Sequence, residues 1–238
     1  MALAIDASTP AIVTGTTTCT TASFTAPANS LLVALGAAAD GSATLSMSNS
    51  GTGLTWTTQV QHMAGEDSGA FSVAAFISTA VAVPSVARTV TFTTSSGGST
   101  VDMKLLVVTG ADIAGTPVGA KGEGHSTTAN LTAAVYTSTV AQSRAVGIGA
   151  DSTATGGSPT SSDTGFAFDH AFDASGIAVY KSADTGSSGT GVTLNFNGAG
   201  TRTWNWAAIE ILPAVTAFRA AHPLTPGMSA PIFRGAYY

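Results

Sequence analysis

The spacing of apolar residues along this chain has a period of two. In the segment 192–197 every second residue is apolar, and the residues between are Thr or Asn. The same alternation occurs in 54–61 and 90–93. A period of two places alternate side chains on opposite faces of a β-strand, whereas a helix needs a period near 3.6, which is almost absent here. The pattern predicts half-buried strands throughout.

Turn-forming clusters of Gly, Ser, Asn and Pro separate the apolar segments, as expected between antiparallel strands. We therefore predict an all-β fold: an antiparallel two-sheet sandwich, jelly-roll-like, with about ten strands and an extended C-terminal arm. Segments 105–108 and 207–212 are apolar on both faces and should be central in their sheets. Further strands are expected at 30–38, 71–79, 101–109, 144–151, 177–182 and 203–212.

The chain divides into three predicted parts. Residues 1–10 form a short N-terminal segment, 11–213 the sandwich domain, and 214–238 the arm. Two stretches, 20–112 and 135–213, resemble each other weakly: for example, residues 31–37 (LLVALGA) match 144–150 (RAVGIGA). This similarity indicates either two similar halves or chance agreement between segments rich in Ala, Val, Thr and Gly.

The predicted arm contains three prolines, and Pro213 directly precedes it; these four prolines disfavour a long helix and favour extended geometry. It is also too apolar for a solvated linker. We expect it to serve as an assembly arm on its own sandwich or on a neighbouring subunit. Its candidate contact residues are Phe218, Leu224, Met228, Ile232, Phe233, Tyr237 and Tyr238.

Charged residues make up only 9% of the chain, with 8 Lys+Arg against 13 Asp+Glu and a net charge of −5. Polarity comes instead from 37 Thr and 26 Ser. Without a basic patch, neither nucleic-acid binding nor attraction to an anionic membrane is expected. The apolar runs are also too short for membrane insertion.

The N-terminus has no basic region followed by a continuous apolar region, so we expect no signal peptide. A single cysteine, Cys19, excludes an intramolecular disulfide. These features suit a protein that folds in a host cytoplasm and is released in a virion by lysis; a secreted protein lacking its leader would share them.

Residues for catalysis are sparse, and we expect no enzyme, no catalytic residue and no cofactor. His62 and His170 occupy matching places in the two similar stretches, and acidic residues follow each of them (Glu66 and Asp67; Asp173). No second His or Cys stands at ligand spacing, so polar hairpin loops are favoured over a metal site. His125 is expected in a surface loop.

Trp204, Trp206 and Glu210 lie on one face of a single predicted strand. Aromatic rings beside a carboxylate are typical of surfaces that stack on sugar rings. The alternative is a core strand with an outward-facing Glu, and this alternative is favoured because a Trp in an alternating strand is usually buried. Burial of these side chains and of Trp56 would weaken the sugar-binding interpretation.

Residues 23–36 (SFTAPANSLLVALG), 53–57 (GLTWT), and 107–112 (VVTGAD) followed by 115–118 (GTPV) resemble segments of β-sandwich virion proteins. The family is that of minor tail or surface (decoration) proteins of tailed bacteriophages that infect actinobacteria. The resemblance implies a non-catalytic structural subunit whose partners are other virion proteins, further copies of itself and a host-surface glycan. The alternative function is a carbohydrate-binding β-sandwich module of a secreted or adhesive protein.

Overall fold

The computed structural model describes residues 2–39, 43–51, 53–63, 73–152, 158–169, 175–198, 200 and 202–214. These residues form antiparallel strands and no helix, which confirms the predicted all-β antiparallel sandwich. None of them belongs to a helix that could cross a membrane. The strands are β1 (Ala4–Ile5), β2 (Val13–Thr16), β3 (Thr18–Thr20), β4 (Phe24–Thr25), β5 (Ser30–Ala38), β6 (Leu45–Asn49), β7 (Thr57–His62), β8 (Ala74–Ala82), β9 (Ala87–Arg88), β10 (Val90–Thr94), β11 (Thr100–Thr109), β12 (Val118–Ser126), β13 (Asn130–Thr137), β14 (Arg144–Asp151), β15 (Thr164–Asp169), β16 (Ser175–Tyr180), β17 (Gly191–Asn197) and β18 (Trp204–Ile211).

Four sheets carry most of these strands. The first inner sheet has the order β1-β11-β5-β8-β7, with β2 also paired to β11, and the first outer sheet has the order β3-β10-β6. The second inner sheet has the order β12-β18-β14-β16-β15, and the second outer sheet pairs β13 with β17. A short β4–β9 pair completes the set.

The buried side chains place these sheets in four layers. Successive residues of β5 alternate between two cores: Val33 and Leu35 point toward the second inner sheet, and Leu32 and Ala34 toward the first outer sheet. A third core lies between the second inner and second outer sheets. The sandwich therefore has more layers than the two expected, because each half of the chain supplies an inner and an outer sheet. The order is outer, inner, inner, outer.

The two inner sheets have the same arrangement of strands. In the first inner sheet, β1 lies beside β11, and β11 pairs with β5. In the second, β12 lies beside β18, and β18 pairs with β14 in the same way. The strands β5 and β14 are the two whose sequences resemble each other. An antiparallel hairpin, β7–β8 or β15–β16, completes each sheet on the far side of that strand.

Polar contacts also join the halves across the central core. Asn205 Nδ2 on β18 donates a hydrogen bond to the carbonyl oxygen of Val73, at 2.8 Å. The Lys104 ammonium on β11 lies 4.1 Å from the centroid of the Phe166 ring on β15, a cation–π contact, and donates to the carbonyl oxygen of Pro10 at 2.7 Å. Burial lowers the pKa of Lys104. These contacts fix the register between the inner sheets.

The predicted strands 30–38 and 144–151 have the observed bounds, and both doubly apolar strands, β11 and β18, have neighbours on each side. His125 was predicted in a loop, and that prediction is wrong, because it lies on the edge strand β12. Polar and Gly-rich β12 gives a weak strand signal. Its glycines are needed sterically: a Cβ on Gly122 would lie 1.7 Å from the carbonyl oxygen of Val135.

Candidate functional site: the uncharged outer faces

The predicted sugar-binding group on β18 is buried. Trp204 and Glu210 have no exposed surface, and Trp206 is 9% exposed. Trp204 packs against Phe196 of the second outer sheet, with ring centroids 6.1 Å apart. The interpretation of Trp204, Trp206 and Glu210 as a glycan contact is therefore corrected: these side chains face the core between the second inner and outer sheets. Trp56 is half-buried against the core of the first pair of sheets.

The buried Glu210 carboxylate holds neighbouring backbone segments together through hydrogen bonds. Its carboxylate accepts hydrogen bonds from the Ala120 amide at 2.9 Å, the Thr139 amide at 2.9 Å and the Thr139 hydroxyl at 2.6 Å. Burial alone would raise the pKa of this carboxyl, but hydrogen bonds from Ser143, Thr139 and Ala120 outweigh burial and hold the pKa below its ordinary value. The carboxylate thus joins β18 to β12 and to the loop after β13.

Several other charged side chains are also buried, contrary to the usual preference of charge for the surface. Arg202 and Asp151 form an ion pair with no exposed surface on either side chain. Arg88 donates to the carbonyl oxygens of Pro84 and Val86. Hydrogen bonds and pairing offset the desolvation cost of such groups. The buried charged residues of the described chain are Arg88, Asp102, Lys104, Asp151, Arg202 and Glu210.

The outer sheets have the opposite character, since no charged residue occurs in any of their five strands. In the first outer sheet, the inward side chains, such as Cys19 and Phe92, are buried. The outward side chains all carry hydroxyl groups. We call this surface the hydroxyl face, and it consists of Thr18, Thr20, Ser46, Ser48, Thr91 and Thr93.

The strand register sets these hydroxyl groups in two rows across the three strands. Thr91 pairs with Thr20 on one side and Ser48 on the other, and Thr93 pairs in the same way with Thr18 and Ser46. Within the first row, the Thr20 and Thr91 hydroxyl oxygens are 2.8 Å apart and hydrogen-bonded. The four side chains on β3 and β6 are exposed, and the two on β10 are half-buried between them.

The strands of the second outer sheet also carry no charged residue, but their outward surface is less regular, and the Asp163 carboxylate beside it accepts from the Asn195 amide at 2.9 Å. Thr132 donates to the side-chain oxygen of Asn195 at 2.9 Å, and Ala134 stands opposite Thr193. Thr160 extends this sheet through a single bridge to Asn197. The surface therefore mixes methyl, amide and hydroxyl groups, and part of its hydrogen-bonding capacity is used internally.

Among the histidines, His62 on β7 and His125 on β12 meet where the two halves join. Their rings stack with centroids 6.1 Å apart, and Glu123 Oε2 lies 4.0 Å from His62 Nδ1. Within the described residues, no group of three or more His, Cys, Asp or Glu side chains has the geometry to hold a metal ion. The other members of the predicted polar loops, Glu66, Asp67, His170 and Asp173, lie outside the described residues.

The C-terminal arm also lies almost wholly outside them, since the described chain ends at Ala214. Up to that point the chain is tied to the first half. Ala111 bridges Pro213, and the Ala214 amide donates to the Gly110 carbonyl oxygen at 2.7 Å. The seven predicted contact residues of the arm, Phe218 to Tyr238, all follow it in the sequence.

Sequence reasoning did not identify the hydroxyl face. A signal was present, because the segments 18–20 (TCT), 46–48 (SMS) and 91–93 (TFT) each carry hydroxyl residues on both sides of an inward one. Their adjacency depends on strand pairing between distant segments, which the alternation alone does not give. Comparison with known protein families, curated proteins and solved structures found no match.

Proposed function

We propose that this chain is a non-catalytic structural subunit of a bacteriophage virion, a minor tail or capsid-surface protein. It contributes to particle assembly and to contact with the host surface. Its partners are other virion proteins and further copies of itself, and its location is the virion. The sequence resemblance described above is one support. The observation that carries the proposal is the distribution of charge in the fold.

Protein contact surfaces are depleted of charged residues at their centres, whereas ordinary soluble surfaces are rich in them. Here four charged side chains, Asp102, Lys104, Asp151 and Glu210, are buried in strands of the inner sheets, whereas the five strands of the outer sheets carry no charged residue. The two outer faces lie at opposite ends of the four-layer stack. This arrangement suits a subunit that contacts the particle through one face and the exterior through the other.

The C-terminal arm is proposed as the anchor. Residues 215–238 follow Pro213 and Ala214, which are paired with Ala111 and Gly110, and every described strand and core residue precedes them in the sequence. Apolar side chains of this density stabilise an assembly when a neighbour covers them.

Particle incorporation tests the proposal. The gene is deleted from the phage genome and supplied from a plasmid, either as the full chain or as a variant lacking 215–238. We expect the full chain in purified particles and the truncated chain, folded, only in the lysate. Incorporation of the truncated chain at the full level would remove the anchoring role. Absence of the full chain from particles would contradict the virion assignment.

A further inference from the structure

The hydroxyl face has the geometry of a binding surface for a regular partner. Neighbouring strands lie about 4.8 Å apart, and outward residues within a strand about 6.7 Å apart, so the six hydroxyl groups form a repeating grid. Each Thr or Ser hydroxyl can donate one hydrogen bond and accept two. Only the Thr20–Thr91 bond lies within the face, which leaves most of this capacity directed outward.

The absence of charge selects the partner's chemistry. An anionic or cationic polymer would find no counter-charge in β3, β6 or β10 and would lose its own hydration on contact. A neutral polymer that carries hydrogen-bond donors and acceptors at regular intervals can pair them with the acceptors and donors of the hydroxyl face. Neutral polysaccharides have this chemistry, since every sugar unit presents hydroxyl groups.

The three strands of the hydroxyl face alone offer less area than a stable protein interface buries. Three strands of about five residues cover roughly 14 by 17 Å, or about 240 Å². A stable protein interface buries about 800 Å² on each partner. A short run of sugar units fits the smaller area. Weak binding at one face is multiplied when many copies stand on one particle.

We infer that the hydroxyl face is a binding site for a neutral polysaccharide, with Thr91 and Thr93 at its centre. The inference rests on the proposed function, because it assigns the host-contact role of that function to one face of the fold. The inference moves the candidate glycan contact from Trp204 and Trp206, which are buried, to an exposed surface. The second outer sheet is the natural comparison, since its Thr193 is exposed but stands beside Ala134 instead of a hydroxyl row.

The test uses the full chain in native gels that contain a polysaccharide, where binding slows migration. The probes are dextran and a neutral galactan, with polygalacturonate as the charged comparison. The binding variant is Thr91→Val with Thr93→Val, and the matched control is Thr193→Val. Valine keeps the branched shape and favours strands, so both variants should fold; circular dichroism checks this.

We expect retardation by at least one neutral polymer and not by polygalacturonate. The Thr91→Val, Thr93→Val variant loses two hydroxyl groups, and its affinity for the polymer should fall by about fivefold or more. The Thr193→Val variant should bind as the unaltered chain does. The inference is overturned by no retardation with either neutral polymer, by retardation with polygalacturonate alone, or by equal binding of the Thr91→Val, Thr93→Val variant.

Particle incorporation of the same double variant separates the two claims. Normal incorporation together with lost polysaccharide binding supports both. Normal incorporation of the full chain without any polysaccharide binding overturns only the inference. Polysaccharide binding by a chain that never enters particles supports the hydroxyl face and overturns the virion assignment.

Discussion

Replacing Glu210 by Gln should destabilise the fold strongly, although the two side chains have almost the same shape. Both carboxylate oxygens accept hydrogen bonds, and Oε2 alone accepts from the Ala120 amide and the Thr139 hydroxyl. A glutamine has one acceptor oxygen. With that oxygen at the Oε2 position, its amide nitrogen would face the Thr139 N–H, which would keep only its longer contact of 3.1 Å to Oε2. A poorly satisfied buried N–H costs up to about 3 kcal/mol, and losing charge-assisted bonds adds to that cost. We expect a loss of about 2–4 kcal/mol in the free energy of unfolding.

Urea unfolding followed by tryptophan fluorescence measures this loss, because Trp204 and Trp206 are buried in the neighbouring core. The matched control is Glu123→Gln on β12, whose side chain is 44% exposed. This control should change the free energy of unfolding by no more than about 0.5 kcal/mol.

The pH dependence gives an independent check. Since hydrogen bonds hold the pKa of Glu210 below its ordinary value of 4.5, the carboxylate binds fewer protons in the folded chain than in the unfolded chain. Its contribution to stability is therefore present above pH 4.5 and is lost as the pH falls through the lowered pKa. Glu210→Gln should lack this component of acid destabilisation. Equal stability of the two Gln variants at pH 7 would refute the structural role assigned to Glu210.

Three further predictions follow from close packing and burial. Trp204→Ala should lower the free energy of unfolding by about 3–5 kcal/mol, measured in the same urea titration, and a loss under 1 kcal/mol would contradict its burial. Gly122→Ala should destabilise the fold severely, because the new Cβ would lie 1.7 Å from the carbonyl oxygen of Val135. Gly53→Ala is the control and should leave the stability unchanged, because nothing lies within 4 Å of its new Cβ. The melting temperatures of the two variants test this difference. Burial raises the pKa of Cys19 to about 12, so a thiol reagent at pH 8 should label the native chain slowly and the unfolded chain fully. Fast labelling of the native chain would contradict that burial.

Much of the strand pattern could be predicted because strand faces leave a direct mark on sequence. The segments 30–38 and 144–151 are apolar at nearly every position, and each lies between two other strands in an inner sheet. Edge strand β12 was not predicted, because close packing against its glycines and the exposure of its charged residues determine its sequence and leave no apolar alternation. Gly122 and Gly124 make room for Val135 and Trp206, and Lys121 and Glu123 are exposed.

The candidate site could not be placed from sequence because the number of layers was not known. In a two-sheet sandwich one face of every strand meets water, so the alternation on β18 allowed Trp204 and Glu210 to lie at the surface. A four-layer stack covers both faces of each inner sheet, and β18 is buried along its whole length. The same stacking leaves the outer sheets with the exposed polar faces. The rows of hydroxyl groups on the first outer sheet arise only when β3, β6 and β10 pair in register.

Protein composition of purified particles is the measurement that tests the proposed function most directly. Particles released by lysis are banded in a density gradient, and their proteins are quantified by mass spectrometry against a labelled standard of this chain. We predict that the chain bands with the particles at a fixed ratio to the other virion proteins and stays with them through a second gradient. A chain found in the lysate but absent from the banded particles would contradict the account.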